Sequence, residues 1–166
     1  PLSGPWAKTS PFDAPRNYSA YGGKVNDKHE GVDVAPVGTA TAYVLAVADG
    51  VVEAVKVGAG YGNYVIIRST HNGREYRAWR AHMAAVEVTV GQTVKRGDVL
   101  GVCGSTGNST GRHDHLTMTS PGGMSGYIVA NVIDPTPYYP PSPPDDRVDL
   151  LPHLRGDGRL YEVRHP

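Results

Sequence analysis

The sequence has one cysteine, one phenylalanine and no long apolar run. A single cysteine, Cys103, excludes an internal disulfide, and its apolar neighbours in Val99–Cys103 predict a buried small side chain rather than a nucleophile. No segment is apolar over the length needed to cross a bilayer, so we expect no membrane span. No signal peptide is visible in these residues. The absence of a disulfide indicates no particular compartment.

An excess of charge of either sign is also absent. Lys and Arg number 16 and Asp and Glu number 16, so the formal net charge is zero. Domains that bind nucleic acid normally carry a basic excess, and we therefore expect no nucleic-acid partner. The 166 residues are enough for one domain with some additional sequence.

Helix signals are scarce, whereas turn signals are abundant. The chain has 21 glycines and 14 prolines, and short Val-rich segments lie between them. Asn72-Gly73 is a typical type I′ hairpin turn between two such segments. The pattern predicts an all-β domain, with residues 1–28 forming an extended N-terminal arm and loops.

Prolines mark the predicted end of this domain. Asp134-Pro-Thr-Pro137 interrupts sheet pairing, and residues 140–146 are a proline-rich linker. Residues 147–166 are too few to bury a core alone. We expect a domain at 1–139, a linker at 140–146, and at 147–166 a tail or the start of a further module. Through this linker we expect a connection to an additional domain or a virion partner.

The most informative stretch is Gly104–Leu116, a glycine-rich loop followed by His113-Asp-His115. On a strand, alternate side chains share a face, so the two imidazoles are expected to point the same way. His29 and Asp33 also share a face if their segment is extended, which its glycine, proline and β-branched residues favour. Histidine and carboxylate side chains grouped in this way indicate a metal or catalytic site.

These motifs together resemble the M23 family of zinc metallopeptidases, which includes lysostaphin-like peptidoglycan endopeptidases. The matching segments are His29-x-Gly-x-Asp33, Ala48-Asp-Gly-Val-Val52, Gly62-Asn-Tyr-Val65, Arg80-Ala-His-Met83, Val90-Gly-Gln-Thr-Val-Lys-Arg-Gly97 and Ser109-Thr-Gly-x-His-x-His115. The resemblance implies an antiparallel two-sheet sandwich or open barrel of the lysostaphin-like type. An extended N-terminal arm and a Pro-rich C-terminal tail would flank it.

The resemblance also implies roles for five residues. One zinc ion per chain would be held by His29, Asp33 and His115. His82 and His113 would be catalytic, one as the general base and the other hydrogen-bonding the developing oxyanion. Either histidine fits either role.

The implied function is a zinc endopeptidase that hydrolyses peptide bonds in the stems or cross-bridges of bacterial peptidoglycan. It would act extracellularly, in the cell envelope, or as a phage endolysin. The alternative is a catalytically silent scaffold or binding module of a phage particle or cell envelope. In some relatives a tyrosine ahead of the first zinc ligand lies near the scissile bond, and Tyr21 is its best match here, followed by Tyr18.

One residue departs from the family pattern. The family usually has Pro-His-Leu-His-Phe, and this chain has Arg112-His-Asp-His-Leu116. The side chain of Asp114 is expected to point away from the histidines, toward a side where an apolar residue is usual. Because a buried unpaired carboxylate is costly, we predict that Asp114 lies at the rim or pairs with Arg112, Arg77 or Arg80.

Overall fold

The computed structural model describes residues 1–17, 25–121 and 132–139. Within these residues the fold is all-β, and the one helical segment is a 3₁₀ turn at Thr136–Tyr138. The sheets are antiparallel and are not closed into a barrel, which confirms the predicted fold class. No helix of the described ranges is long and apolar enough to span a membrane. Tyr18, Tyr21 and residues 140–166 lie outside these ranges.

Thirteen strands make up the described fold. In chain order they are β1 (Trp6–Ser10), β2 (Pro15–Asn17), β3 (Val25–Lys28), β4 (Gly31–Pro36), β5 (Tyr43–Leu45), β6 (Gly50–Gly58), β7 (Gly62–His71), β8 (Arg74–Met83), β9 (Ala85–Val86), β10 (Thr93–Val94), β11 (Val99–Val102), β12 (Asp114–Thr119) and β13 (Val132–Ile133). The main sheet has the order β1-β4-β12-β8-β7-β6-β10, with β13 also paired to β12. A three-stranded sheet, β5-β11-β9, and the pair β2-β3 complete the fold.

The N-terminal segment is extended, as predicted, and part of it belongs to the main sheet. Strand β1 pairs with β4, with Trp6 opposite Pro36. Trp6 is buried and packs edge-on against Tyr139, with 5.4 Å between the ring centroids. Burial of this large aromatic surface fixes the strand to the domain.

The β7–β8 hairpin has the predicted turn. Asn72 and Gly73 have φ values of 49° and 70°, and two positive φ angles define a type I′ turn. The pairing of the two strands shifts between Asn63 and Val65, so β8 contains one extra residue near Ala81 and His82. This β-bulge lies at the end of β8 that reaches the predicted site.

The core lies on one face of the main sheet and includes residues of the smaller sheet. Its fully buried members include Val32, Val34, Val44, Val65, Leu100 and Leu116. Cys103 also belongs to this core, and burial raises the pKa of its thiol to about 12. The thiol therefore stays protonated near neutral pH, which agrees with the prediction of a packing role.

The β-branched residues of Val86–Val90 favour a strand, but the strand in the structure is shorter. Strand β9 covers Ala85–Val86 only. The amide of Gln92 donates to the Thr89 carbonyl at 3.1 Å, and the Gln92 side-chain oxygen accepts from the Thr89 amide at 3.1 Å. Contact with β11 extends to the Glu87 amide, which donates to the Leu100 carbonyl at 2.9 Å, and this tight turn then bends the chain away.

Candidate metal centre

Strands β4 and β12 are neighbours, and their register places Asp33 directly opposite His115. Gly31 makes this close approach possible. A Cβ at position 31 would lie 2.4 Å from the Leu116 carbonyl oxygen and 2.8 Å from the Cε1 atom of His115. Any side chain there would displace the His115 ring, which explains the glycine between His29 and Asp33.

Three potential ligand atoms converge where these strands meet. Asp33 Oδ1 lies 2.7 Å from His115 Nδ1 and 3.2 Å from His29 Nε2. The two imidazole nitrogens are 3.1 Å apart. All three atoms lie within 4.8 Å of one another, and His29 and His115 are buried. The three residues predicted as ligands are therefore brought together.

Neighbouring groups orient both of these histidines. Nδ1 of His29 lies 2.9 Å from the Pro11 carbonyl oxygen and 2.9 Å from Ser10 Oγ. Because a carbonyl only accepts hydrogen bonds, Nδ1 carries the proton and the lone pair of Nε2 faces Asp33. Nε2 of His115 lies 2.7 Å from Thr117 Oγ1, so with Nε2–H donating to that hydroxyl the lone pair of Nδ1 also faces inward.

The donor set fits a divalent metal ion. Two imidazole lone pairs and one carboxylate oxygen point at a common space, and they repel one another unless a cation lies between them. Two neutral histidines and one carboxylate are a usual ligand set for zinc with an open coordination position. Burial alone would raise the pKa of the Asp33 carboxyl, but hydrogen bonds and positive charge from His115 and His29, when these rings hold protons in place of a metal ion, outweigh it and hold this pKa well below its usual range. Asp33 is therefore ionised at neutral pH, as a ligand must be.

His82 reaches the same space from β8 because the β-bulge redirects it. Its φ is 60°, a left-handed conformation that is uncommon outside glycine. Its Nδ1 lies 2.8 Å from the Thr106 carbonyl oxygen, so Nδ1–H donates there and Nε2 keeps its lone pair. The pKa of His82 is lowered to about 4, because burial together with the charges of His113 and His115 outweighs the raising effects of the bond to Thr106 and of Asp33.

His113 lies beside His82, with ring centroids 4.6 Å apart. Its Nδ1 is 2.8 Å from the Gly111 carbonyl oxygen, which fixes the proton on that nitrogen. The opposite nitrogen, Nε2, is 3.9 Å from Asp33 Oδ1. The two predicted catalytic histidines therefore lie together at one edge of the candidate metal centre, each with its Nδ1 proton bound to a backbone carbonyl.

Aromatic rings flank the metal centre on another side. The Tyr61 ring lies 5.5 Å from the His115 ring and 6.4 Å from the Trp79 ring, and Tyr64 stacks on Trp79 at 5.9 Å. The Tyr61 hydroxyl donates to Glu30 Oε1 at 3.0 Å. These rings give the site a largely apolar wall, which lowers the local dielectric around the charged ligands.

Asp114 is buried on the opposite face of β12, and one of the predicted partners neutralises it. Arg80 Nε donates to Asp114 Oδ1 at 3.1 Å, and Arg80 Nη2 contacts Oδ2. The hydroxyl of Tyr139 also donates to Oδ2. The predicted pairing with an arginine is confirmed, and the arginine is Arg80. Arg112 instead donates to the carbonyls of Ala40 and Gly38.

Several residues that contact the site histidines or Asp114 were not predicted from the sequence. Thr117 continues the face of His113 and His115, so the spacing His115-x-Thr117 was a usable signal. Ser10 and Thr106 act through tertiary contacts at 19 and 24 residues from their histidines, and no local pattern indicates them. Tyr139 was assigned to the end of the domain, although its hydroxyl reaches Asp114.

Comparison with known proteins relates this arrangement to one family. Residues 27–125 match Peptidase family M23. The chain is 34% identical to the peptidoglycan DD-endopeptidase ShyA of Vibrio cholerae over 133 residues, which cover 80% of this chain and 29% of that protein. The chain spans less than a third of the length of ShyA and of two other curated relatives that it matches.

Two solved structures share the fold. The catalytic domain of lysostaphin from Staphylococcus simulans matches with a TM-score of 0.63 at 27% identity, covering 80% of this chain and 91% of that one. A zinc-containing peptidase from Vibrio cholerae matches with a TM-score of 0.54 at 34% identity, covering 68% of this chain and 32% of that one. The donor set and these matches together identify zinc as the metal that the centre takes.

Proposed function

The chain belongs to peptidase family M23, and we propose that it is a zinc-dependent endopeptidase that hydrolyses peptide bonds in the stems or cross-bridges of bacterial peptidoglycan. One observation carries the proposal: two histidines with basic Nε2 atoms lie beside three converging ligand atoms. A structural zinc site is closed by four protein ligands, whereas three ligands beside proton-transfer groups are typical of a catalytic site.

His29 Nε2, Asp33 Oδ1 and His115 Nδ1 would hold the zinc ion. When bound, zinc acts as a Lewis acid on the scissile carbonyl and makes water nucleophilic near neutral pH. Ser10, Pro11 and Thr117 keep the two histidine ligands in the required tautomers.

His82 and His113 act as the proton-transfer pair. Each ring has its Nδ1 proton committed to a backbone carbonyl, so the reactive nitrogen of each is Nε2. One ring accepts the proton of the attacking water, and the other, when protonated, donates to the oxyanion of the tetrahedral intermediate. The 4.6 Å separation of the rings lets both reach one scissile bond.

The substrate class is supported by the relatives. ShyA carries the name of a peptidoglycan DD-endopeptidase, and the lysostaphin domain is described as an antimicrobial peptidase. A peptidoglycan hydrolase acts in the cell envelope or outside the cell, and delivery as a phage endolysin is one route to that substrate. Tyr21 is proposed to contact the peptide near the scissile bond, and the linker at 140–146 to join a further domain or virion partner.

Purified cell walls test the proposal directly. The zinc-loaded chain should release new amino groups from walls, a chelator should stop the release, and added zinc should restore it. Mass spectrometry of fragments from walls with glycine cross-bridges and from walls with direct D-alanine–diaminopimelate links would identify the bond cut. A chain that binds one zinc ion and releases no amino group from either wall would contradict the proposal and favour the silent scaffold.

A further inference from the structure

The buried ion pair Asp114–Arg80 lies at the point where two strands of the site separate. Strand β12 pairs with β8 from Thr119 opposite Arg77 up to His115 opposite Ala81, and the recorded pairing ends there. The β-bulge and the left-handed backbone at His82 then turn β8 aside. His82 and His113 both lie beyond this last backbone pair.

Asp114 and Arg80 join the strands from the face opposite the metal centre. Both side chains are fully buried, and Arg80 contacts the carboxylate through Nε and Nη2, a bidentate arrangement with little rotational freedom. The ring of Tyr139 lies 5.7 Å from the guanidinium carbon, and its hydroxyl donates to the same carboxylate. Arg80 Nη2 also makes a long hydrogen bond of 3.4 Å to the Pro1 carbonyl, and Nη1 has no hydrogen-bond partner among the described residues, so the two contacts with Asp114 mainly determine the orientation of the guanidinium.

Stability alone is a weak reason for such a pair. A buried ion pair loses hydration when the chain folds, and well-packed apolar residues of similar volume are often equally or more stable. An apolar pair would, however, lack directional contacts between the strands. Asp114 adjoins His113 and His115 in sequence, and Arg80 precedes His82 by two residues.

We propose that Asp114 and Arg80 are positioning residues that set the distance between His82 and His113. The inference rests on the proposed function, because it assigns the pair a role in the hydrolysis that those histidines perform. Where the backbone pairing between β8 and β12 ends, the ion pair connects the two strands and keeps the distance between them fixed. Because a displacement of about 1 Å can cost about 100-fold in rate, small drift at this point is enough to affect turnover.

The test replaces both charges together, so that neither is left buried alone. Arg80→Met with Asp114→Leu should fold and bind one zinc ion per chain. Its kcat on the muropeptide that the wall digest identifies should fall by about 10- to 100-fold at unchanged KM. Its crystal structure should show the His82 and His113 rings further apart than 4.6 Å or in several orientations.

Lys95→Gln with Asp49→Asn is the matched control. It removes an exposed ion pair in which the charged atoms are 2.8 Å apart and which lies outside β8 and β12. Both kcat and the separation of the His82 and His113 rings should stay unchanged. A folded, zinc-loaded Arg80→Met/Asp114→Leu protein with kcat within twofold of the unmutated chain and unchanged ring separation would overturn the proposal.

Asp114→Asn decides the question if the double variant does not fold, because the amide keeps the shape of the carboxylate and loses its charge. Lower kcat at unchanged KM with displaced rings supports positioning, and unchanged values overturn it. If the unmutated chain hydrolyses no wall peptide, the proposed function fails. The ring separation in the crystal structures still decides the positioning role.

Discussion

The polar groups on the two faces of β12, and of His113 just before it, differ in their hydrogen-bond partners. On one face, His113 and His115 meet Asp33 and His29. With neutral histidines, the ring nitrogens that face the Asp33 carboxylate carry lone pairs, so this cluster has more hydrogen-bond acceptors than donors. On the other face, the Asp114 carboxylate accepts hydrogen bonds from Nε and Nη2 of Arg80 and from the Tyr139 hydroxyl, so both of its oxygens are matched by donors. A polar cluster with matched donors and acceptors holds strands together, whereas one with surplus acceptors is prepared for a cation.

The largest effect should come from the two histidines of the first face, because they differ in role. His115→Ala removes a ligand, so zinc affinity should fall by more than about 100-fold and wall hydrolysis should be lost. His113→Ala should keep one zinc ion per chain and lower kcat by about 10²- to 10⁴-fold. Metal analysis after dialysis and amino-group release measure both effects. Equal loss of zinc in the two variants would remove the distinction between ligand and proton-transfer residue.

On the second face, Asp114→Ala should destabilise the fold without emptying the metal centre. It leaves the guanidinium of Arg80 buried and unpaired, which typically costs about 3–5 kcal/mol. Urea unfolding of the metal-free chain measures this loss apart from the stabilisation by bound zinc. Zinc affinity of the folded variant should stay within a few-fold. A loss below about 1 kcal/mol would mean that the two faces do not differ as described.

The sequence predicts some of these contacts and not others, depending on how far apart in the chain the interacting residues are. Strand alternation places His113 and His115 on one face and Asp114 on the other. Because a buried unpaired carboxylate is costly, the sequence also predicts that Asp114 pairs with an arginine. The β-bulge that redirects His82 has no local signal, because an extra residue in a strand appears only when its partner is known.

Long-range contacts explain the remaining differences. The burial of Trp6 against Tyr139 joins residues from opposite ends of the domain, so nothing near Trp6 in sequence predicts that β1 enters the main sheet. The contacts of Ser10 with His29 and of Thr106 with His82 depend on the same tertiary assembly. The candidate ligands His29, Asp33 and His115 could be named from the sequence because the motifs that carry the family resemblance are local, and the structure brings the three together.

A smaller effect should come from the contact that orients His115. Thr117→Val keeps the shape of the side chain and removes the oxygen that lies 2.7 Å from His115 Nε2. Loss of such a partner typically lowers metal affinity by about 10- to 100-fold. Competition with a chromophoric chelator measures the affinity, and Thr117→Ser, which restores the hydroxyl, is the control. Equal affinities of the valine and serine variants would exclude a role for the hydroxyl.

The smallest effect concerns alkaline pH. Burial raises the pKa of the Tyr139 phenol well above 10, and the charge of Asp114 adds to this. The phenol ionises in the unfolded chain first, so its stabilisation is complete below about pH 10. It is lost at about 1.4 kcal/mol per pH unit as pH rises toward the folded pKa. Tyr139→Phe should flatten this part of the urea-unfolding profile. A profile of unchanged slope between pH 10 and 11 would assign the alkaline loss to another group.

The place of β12 in the main sheet also determines when the candidate ligands come together during synthesis. It lies between β4 and β8, both of which precede it in the chain. A nascent chain that ends before Asp114 has β4 and β8 without the strand between them, and it carries one incomplete ligand pair, His29 and Asp33. We therefore expect tight zinc binding to begin only once β12 has left the ribosome and joined both neighbours. The order of the strands completes the candidate metal centre late in the synthesis of the described fold.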